Sequence, residues 1–232
     1  MNTVRTLVLL RHGHSEWNLT DRFTGWTDIP LTEIGLNEAT EAGRQLAAAG
    51  YGFDEVHISI LQRTRQTAEK VLEAMGTPDV PVFSTWRLNE RHYGALQGMN
   101  KKDIFATWGE QESRRWWRGY YDPPPPLDIN DPRHPRFDPL FAELSVEELP
   151  ASESLADCQR RMLPYWNEVL APELRAGRRM LVVSHGNTLR GLVMHIEKLS
   201  AEEMEYVEIP SGVPLVYSLS DAMKVVSKSR LE

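Results

Sequence analysis

In two segments of the sequence, an aliphatic run is followed by a polar residue, a histidine and a glycine. The first segment, LVLLRHG, contains Arg11 and His12, and the second, LVVSHG, contains His185. A neutral imidazole is a competent nucleophile toward phosphorus, and a phosphoryl group in transfer needs positive donors at its oxygens. Arg11 and Arg63 carry planar guanidinium groups that match phosphate oxygens. These residue types predict phosphoryl transfer through a phosphohistidine.

Two other interpretations of the histidines have to be weighed. His12 and His14 alternate along the chain and could face one way, as two zinc ligands would. Arg11 beside them would repel a divalent cation, so we expect no metal at this site. A single histidine is also often a satisfied core residue, but the matching signatures at His12 and His185 weigh against that interpretation.

The elements that must position these residues alternate between strand and helix, which is typical of an α/β sheet. We predict strands over residues 4–10, near 53–58, over 80–86 and directly before His185. In open α/β sheets, ligands bind beyond the carboxyl ends of the strands, so His12 and His185 should lie there at comparable heights. The glycine after each histidine would let the backbone turn sharply, and the following helix would offer free N–H groups to an anion.

Helices are predicted between the strands from the spacing of apolar residues. One helix should occupy residues 32–50, with Ala47 on its buried face. Another should run over residues 154–170, with a kink at Pro164 and Val169 in its buried stripe. The predicted fold class is therefore α/β: a three-layer, doubly wound, mostly parallel sheet with helices on both faces.

Residues 100–150 interrupt the alternation. Two short Trp-rich helical pieces are followed by DPPPPLDINDPRHPRFDP, which contains too many prolines for regular structure. Long loops in compact domains are usually functional or disordered, and we predict that this insertion acts as a lid. The chain is otherwise expected to form a single domain over residues 1–232.

Composition restricts the possible function classes. The chain has 232 residues and is 41% hydrophobic, enough for a sizeable core. Its formal net charge of −7 disfavours general nucleic-acid binding but permits a small anionic substrate, since a pocket needs only local positive charge. The single cysteine, Cys158, excludes an intrachain disulfide. Because no apolar run suits a signal peptide or a membrane span, we expect a cytoplasmic protein with no membrane partner.

Seven motifs extend these observations along the chain. They are RHGHSEWN, FTGWTDIPLTEIG, LQRTRQTA, LNERHYGALQGMNK, ELPASESL, SHGNTLRGL and IPSGVPLVY, and they run from about Leu7 to Tyr217. These motifs resemble the cofactor-dependent phosphoglycerate mutases of the histidine phosphatase superfamily. RHG alone indicates only the superfamily, whereas NERHYGALQG and GVPLVY are more specific to the mutases.

The resemblance implies a reaction and its reagents. The reaction would be the interconversion of 3-phosphoglycerate and 2-phosphoglycerate in glycolysis and gluconeogenesis, through a phosphohistidine and a 2,3-bisphosphoglycerate intermediate. 2,3-Bisphosphoglycerate would also prime the enzyme as phosphoryl donor, and no metal would be needed. The partners would be small-molecule phosphoglycerates and further copies of the chain in a homodimer or homotetramer, with no nucleic acid.

The resemblance also implies a role for individual residues. His12 would be the phosphorylated nucleophile, Arg11, Arg63 and His185 would surround the phosphoryl group, and Glu90 would exchange protons with the substrate hydroxyls. The phosphate and carboxylate sites would be lined by Asn18, Thr24, Gly25, Tyr93, Lys101, Arg118, Gly186 and Asn187.

Three alternatives stay open at this point. Judged by its neighbours alone, Glu90 could be a solvated loop carboxylate. The protein could also be a phosphatase of the same superfamily that acts on a small phosphoester. A third possibility is a non-catalytic module that senses phosphorylated ligands, although binding alone requires no nucleophile.

The sequence departs from the mutase pattern in three places. His14 stands where the family usually has glutamate or glutamine, the C-terminal segment DAMKVVSKSRLE is short, and Trp117 stands where an arginine is common. Trp117 cannot donate a fork of hydrogen bonds to an anion, so the insertion should hold substrate less firmly. On a continuous helix, Arg114 shares the face of Trp117, and we predict that Arg114 partly restores the charge.

Overall fold

A sheet of six strands forms the centre of the protein, whose structure, a computed structural model, describes residues 4–231. The strands are β1 (Arg5–Arg11), β2 (Glu55–Ile58), β3 (Val82–Ser84), β4 (Met180–Ser184), β5 (Leu215–Leu219) and β6 (Val225–Arg230). Their order across the sheet is β3-β2-β4-β1-β5-β6. The strands from β3 to β1 pair in parallel, whereas β5 is antiparallel to β1 and β6 is antiparallel to β5. The predicted mostly parallel sheet is confirmed.

Helices connect and cover the strands. Within the described residues they are α1 (Glu16–Leu19), α2 (Glu33–Ala48), α3 (Gln62–Met75), α4 (Lys101–Trp108), α5 (Glu110–Arg118), α6 (Leu155–Tyr165), α7 (Ala171–Arg175), α8 (Gly186–Glu197) and α9 (Ala201–Met204). A π-helix over Trp166–Leu170 joins α6 to α7. No helix within residues 4–231 is both long enough and apolar enough to cross a membrane.

The aliphatic run of β1 is buried on both faces of the sheet. Leu7 and Leu9 pack into a core that includes residues of α6 and α8, whereas Val8 and Leu10 pack into a second core with α2 and α3. Successive side chains of a strand point to opposite faces, so a strand covered on both sides is apolar at every position. The helices on both faces confirm the predicted three-layer arrangement.

Two helices differ in detail from the prediction. Ala47 is exposed, and Ala42 takes a place on the buried face of α2. After Pro164, which has no N–H to continue the helical pattern, the chain enters the π-helix. A π-turn holds one more residue than an α-turn, so Leu170 is buried and Val169 is only partly covered.

The two edges of the sheet also differ from the prediction. The strand expected over residues 80–86 is limited to β3, whose three residues are all exposed. At the opposite edge, the short C-terminal segment contributes β6, in which every residue is exposed. Exposed edge strands carry no buried alternation, which explains why the sequence pattern did not indicate their extent.

The insertion packs against the body through two small apolar clusters. Trp116 of α5 lies with Phe23 and Tyr93 in one of them, and Phe141 lies with Trp26 in the other. Between these anchors the Pro-rich chain forms short 3-10 turns instead of regular helices. Its action as a lid and the assignment of the chain to a single domain stay predictions.

Candidate active site

The two strand-end histidines lie side by side. β1 and β4 are neighbours, and their register pairs Arg11 with Ser184, the residues that precede the histidines. The imidazole centroids of His12 and His185 are 5.0 Å apart, with the rings inclined at 63°. The prediction that both histidines lie at comparable heights beyond the carboxyl ends of the strands is confirmed.

His12 is held as a neutral imidazole with one defined tautomer. Its Nδ1 lies 2.7 Å from the carbonyl oxygen of Gly13, so Nδ1 carries the proton and donates it to this bond. Nε2 keeps its lone pair and has no hydrogen-bond partner among residues 4–231. Burial, followed by the charges of Arg63 and Arg11, holds the pKa of His12 well below its ordinary value. The residue is therefore available as a nucleophile at neutral pH.

The glycine after each of the two histidines has a different structural role. A Cβ on Gly13 would overlap the carbonyl oxygen of Gly35, so close packing against α2 requires glycine there, and its φ is not positive. A Cβ on Gly186 would stand 3.7 Å from Arg11 Nε and 3.8 Å from Glu90 Oε2. A side chain at this position would therefore occupy space between two groups of the site.

His185 has both ring nitrogens engaged. Arg63 Nε donates to Nδ1 at 3.2 Å, so the proton is on Nε2, which donates to Ser59 Oγ at 2.8 Å. Burial, followed by the charge of Arg63, holds the pKa of His185 well below its ordinary value. In this arrangement His185 has no free ring N–H for a phosphoryl oxygen. It orients Arg63 and packs against His12.

Arg63 and Arg11 are aimed by backbone carbonyls. Arg63, in the first turn of α3, donates through Nη1 to Thr27 at 2.9 Å and through Nη2 to Gly25 at 2.8 Å. Arg11 donates through Nη1 to the carbonyl of Ile209 at 3.1 Å, and its buried Nε has no partner among the described residues. Burial lowers the pKa of Arg63 to about 10, so its guanidinium stays charged at neutral pH. Neither arginine is neutralised by an ion pair within residues 4–231.

The Glu90 carboxylate is half-buried and held in place. Its Oε1 accepts hydrogen bonds from the backbone N–H of Arg91 at 2.8 Å and of Asn187 at 3.2 Å. Its carbonyl oxygen accepts from Trp26 Nε1 at 2.7 Å and from Arg161 Nη2 at 3.2 Å. A solvated loop carboxylate would have no such support, so that interpretation of Glu90 does not fit the structure.

These groups meet in one cavity of about 240 Å³. With the exception of His185, which lies behind its wall, the site residues that the resemblance implied all line it: Arg11, His12, Asn18, Thr24, Gly25, Arg63, Glu90, Tyr93, Lys101, Arg118, Gly186 and Asn187. The volume suits a small molecule. Among all the lining residues, six are cationic and two are acidic: Arg11, Arg22, Arg63, Lys101, Arg118 and Arg190, against Glu90 and Glu208. This excess of positive charge suits an anionic ligand.

Uncharged donors complete the wall. Asn18 Oδ1 accepts from the N–H and hydroxyl of Ser15 at 3.1 and 2.9 Å, which leaves the amide N–H groups of Asn18 for a ligand. The hydroxyl oxygen of Tyr93 accepts from Asn187 Nδ2 at 2.8 Å, which leaves its O–H to donate. Both side chains are thus oriented by bonds that use only their acceptors.

Trp117 forms part of the cavity wall on the side of the insertion. Its ring faces two cations, with Lys101 Nζ 5.6 Å and Arg118 Cζ 4.6 Å from the ring centroid. Lys101 also pairs with Asp21 at 2.8 Å, and Arg118 with Glu208 at 3.5 Å. Trp117 therefore contacts two of the cations that line the cavity through cation–π interactions and supplies no guanidinium of its own.

Arg114 does not reach this cavity, which corrects the prediction made for it. It is exposed and lines a separate cavity with residues such as Tyr121 and Glu202. Burial of Ser113 and Trp116 sets the rotation of α5 and turns Arg114 to the outside.

The sequence analysis missed two of the six cations that line the cavity: Arg22, which is exposed, and Arg190, which is buried. Arg190 lines the cavity from α8, three residues after Asn187. That i,i+3 spacing from a predicted site residue was the available signal, because residues three apart on a helix are neighbours.

His14 faces different surroundings from His12. Its Nδ1 lies 2.6 Å from Glu38 Oε1, and its backbone N–H donates to Glu38 Oε2 at 2.8 Å. Across residues 4–231, no three His, Cys, Asp or Glu side chains gather as a metal site would require. The metal-free reaction stays a prediction.

Comparison with known proteins places this geometry in context. The family model described as histidine phosphatase superfamily (branch 1) matches the chain over residues 7–134 and 128–223. Among solved structures, mycobacterial hydrolase 1 is 23% identical, with a TM-score of 0.74 and coverage of 98% of this chain and 97% of that chain. A mycobacterial glucosyl-3-phosphoglycerate phosphatase complexed with VO3 is 23% identical, with a TM-score of 0.72 and coverage of 97% of both chains. The α-ribazole phosphatase of Shigella flexneri is 20% identical, with a TM-score of 0.70 and coverage of 98% and 96%. At these identities the likeness shows a shared fold.

Proposed function

Because the chain belongs to branch 1 of the histidine phosphatase superfamily, we propose that it transfers the phosphoryl group of a small phosphomonoester through phosphorylated His12. One observation carries this proposal: the neutral His12, with Nε2 free, lines a cavity together with six cationic side chains. A nucleophile of this kind, surrounded by positive donors, suits an ester that already carries negative charge.

In the first half-reaction, Nε2 of His12 attacks phosphorus, and the N–P bond forms while the P–O bond to the substrate breaks. Arg11 and Arg63 would hold the phosphoryl oxygens as charge gathers on them. The bond from His12 Nδ1–H to the Gly13 carbonyl stabilises the positive charge that develops on the ring. Glu90, in its protonated form, would give its proton to the leaving oxygen.

In the second half-reaction, the Glu90 carboxylate removes the proton of an acceptor hydroxyl. The acceptor oxygen attacks phosphorus, the N–P bond breaks, and His12 returns to its neutral state. If the acceptor is water, the net reaction is hydrolysis. If phospho-His12 gives its phosphoryl group to a hydroxyl of a phosphoglycerate, 2,3-bisphosphoglycerate forms. When this intermediate reorients and returns its other phosphoryl group to His12, the isomeric phosphoglycerate is released, His12 is phosphorylated again, and the net reaction is a mutase reaction.

We propose a phosphoglycerate hydroxyl as the acceptor, so that the chain interconverts 3-phosphoglycerate and 2-phosphoglycerate. The support is the distribution of positive charge: Arg11 ends β1 and Arg63 lies in the first turn of α3, whereas Lys101 and Arg118 belong to α4 and α5 of the insertion. A substrate with a phosphate and a carboxylate needs donors on two sides in this way. The same donor set fits 2,3-bisphosphoglycerate, which when bound would supply the phosphoryl group that primes His12.

Hydrolysis of a small phosphoester is the second candidate, and the comparisons favour it over the mutase. The similar solved structures include a glucosyl-3-phosphoglycerate phosphatase and an α-ribazole phosphatase. Because these structures share only about a fifth of their residues with this chain, they indicate a common fold but do not identify the acceptor of the phosphoryl group. The acceptor has to be determined by experiment. For a non-catalytic sensor we find no supporting feature, since a free Nε2 is not needed for binding.

Product analysis separates the two candidates. The protein would be incubated with 3-phosphoglycerate, with and without 2,3-bisphosphoglycerate, and the products followed by phosphorus NMR. The mutase proposal expects 2-phosphoglycerate, formed faster after priming, with little inorganic phosphate. Release of inorganic phosphate without 2-phosphoglycerate would establish the phosphatase instead. Neither product should form with His12→Ala.

A further inference from the structure

Arg190 is a buried cation in the wall of the active cavity. Only 4% of the residue is exposed. Its Nη1 donates to Asn187 Oδ1 at 3.1 Å, and its Nη2 donates to the carbonyls of Met204 at 2.8 Å and Arg118 at 3.4 Å. Nε has no partner among residues 4–231, and Nη1 has one acceptor for its two hydrogens. The guanidinium is therefore fixed in place with donors unused.

The charge of Arg190 is not balanced by its surroundings. Its three acceptors are an amide oxygen and two backbone carbonyls, none of which is charged. Burial, followed by the charges of Arg118 and Arg91, lowers its pKa to about 10, and the opposing effects of Tyr93 and Glu90 are smaller. The side chain is still protonated at neutral pH, and a buried charge without a counter-ion is unfavourable. An anionic ligand in the cavity would relieve this.

Arg190 lies about one helical turn beyond Gly186, the residue that follows His185. It is four residues along α8 from Gly186, about 6 Å by the rise of an α-helix. Its contact with Arg118 places it beside the insertion, where Trp117 offers a ring face and no guanidinium. Arg190 thus supplies positive charge on the side of the cavity where Trp117 provides none.

We propose that Arg190 binds the second anionic group of the substrate, the one that is not transferred to His12. The substrate class is then a small phosphomonoester that carries a further carboxylate or phosphate. This inference rests on the proposed phosphoryl transfer at His12 and specifies its ligand. Arg190, in this role, replaces the donor that Arg114 was expected to supply.

Binding measurements with two ligands test the proposal. Calorimetric titration would compare 3-phosphoglycerate with glycerol 1-phosphate, which has no carboxylate. For Arg190→Met, the Kd of 3-phosphoglycerate should rise about tenfold or more, because a charge-assisted hydrogen bond is lost. The Kd of glycerol 1-phosphate should change little. Arg114→Ala, a nearby arginine outside the cavity, should bind both ligands like the wild type.

Several outcomes would overturn the proposal. Unchanged affinity for 3-phosphoglycerate in Arg190→Met would do so, and so would equal losses for both ligands, which would make Arg190 a structural residue. Arg190→Gln replaces the methionine variant if thermal unfolding shows that the latter does not fold. Trp117→Arg added to Arg190→Met should regain much of the affinity for 3-phosphoglycerate. Failure of His12 to become phosphorylated would refute the proposed function, whereas the ratio of the two affinities tests Arg190 independently.

Discussion

The Nδ1 atom of His12 and the carbonyl oxygen of Gly13 are 2.7 Å apart, and this contact determines which ring nitrogen can react. Because Nδ1 donates its proton to the carbonyl, the lone pair is on Nε2. The sequence motif RHG names the histidine, but only the backbone position of Gly13 identifies the reactive atom.

Phosphorylation should therefore occur on Nε2 of His12. Incubation with 2,3-bisphosphoglycerate should add an acid-labile phosphate, and in protein with ¹⁵N-labelled histidine the phosphorus should couple to Nε2. His12→Ala should take up no label, whereas His14→Ala should still be labelled, because His14 pairs with Glu38 outside the cavity. Label on Nδ1, or label that survives in His12→Ala, would contradict this assignment.

Glu90 should move protons and contribute little to binding. We expect Glu90→Gln to lower turnover by about 10²-fold or more, the usual scale for a general acid or base, with a much smaller change in ligand affinity. Glu208→Gln is the matched control, since Glu208 lines the same cavity but is exposed and pairs only with Arg118 among residues 4–231. It should keep turnover within a few-fold. Near-normal steady-state turnover in Glu90→Gln would remove Glu90 from the mechanism.

The residues that sequence could identify are those whose position follows from a strand end or a motif. The aliphatic run of β1 predicts burial on both faces, and the strand ends place His12 and His185 together, as the register of Arg11 with Ser184 shows. The role of His185 in orienting Arg63 could not be predicted from the sequence, because it depends on a hydrogen bond between two elements that are distant along the chain.

The errors arose where tertiary packing sets the phase of a helix. Arg114 shares a face with Trp117 by spacing alone, but burial of Trp116 sets the rotation of α5. Val169 follows an α-helical period that the π-helix interrupts. Arg190 looks like an ordinary helical arginine until the neighbouring helix end of α5 is known.

Stability should decrease as the pH is lowered. Burial lowers the pKa of His92 to about 3 and that of His57 to about 4, and it holds those of His12 and His185 well below the ordinary value. As the pH drops below about 6.5, the unfolded chain binds more protons than the folded chain. The free energy of unfolding therefore decreases as the pH is lowered. Linkage gives roughly 1.4 kcal/mol each for His92 and His57 between about pH 7.5 and 5.5.

Urea denaturation of the wild type and His92→Gln at both pH values would measure this effect. The variant should lose less stability on acidification than the wild type, by about 1.4 kcal/mol, whatever its stability at the higher pH. Equal losses in the two proteins would mean that His92 titrates normally in the folded state.

The buried pair of Arg161 and Glu153 should support both stability and the position of Glu90. Arg161 donates to Glu153 Oε1 at 2.7 Å and to the carbonyls of Asn89 and Glu90, each at 3.2 Å. Removing one partner leaves the other charge buried and unpaired, so Arg161→Met should lower the free energy of unfolding by about 3–5 kcal/mol. Turnover should fall as well, because the segment that carries Glu90 loses two hydrogen bonds.

The double variant Arg161→Met with Glu153→Leu separates these two effects. Replacing both charges removes the unpaired carboxylate, so much of the stability should return. Turnover should stay low, since the carbonyl of Glu90 still lacks its bond from Arg161, while the KM for 3-phosphoglycerate should change less than kcat. Urea denaturation and steady-state kinetics on the wild type, both single variants and the double variant provide the comparison. If turnover recovers together with stability, Arg161 acts on the fold alone and the positioning of Glu90 has another source.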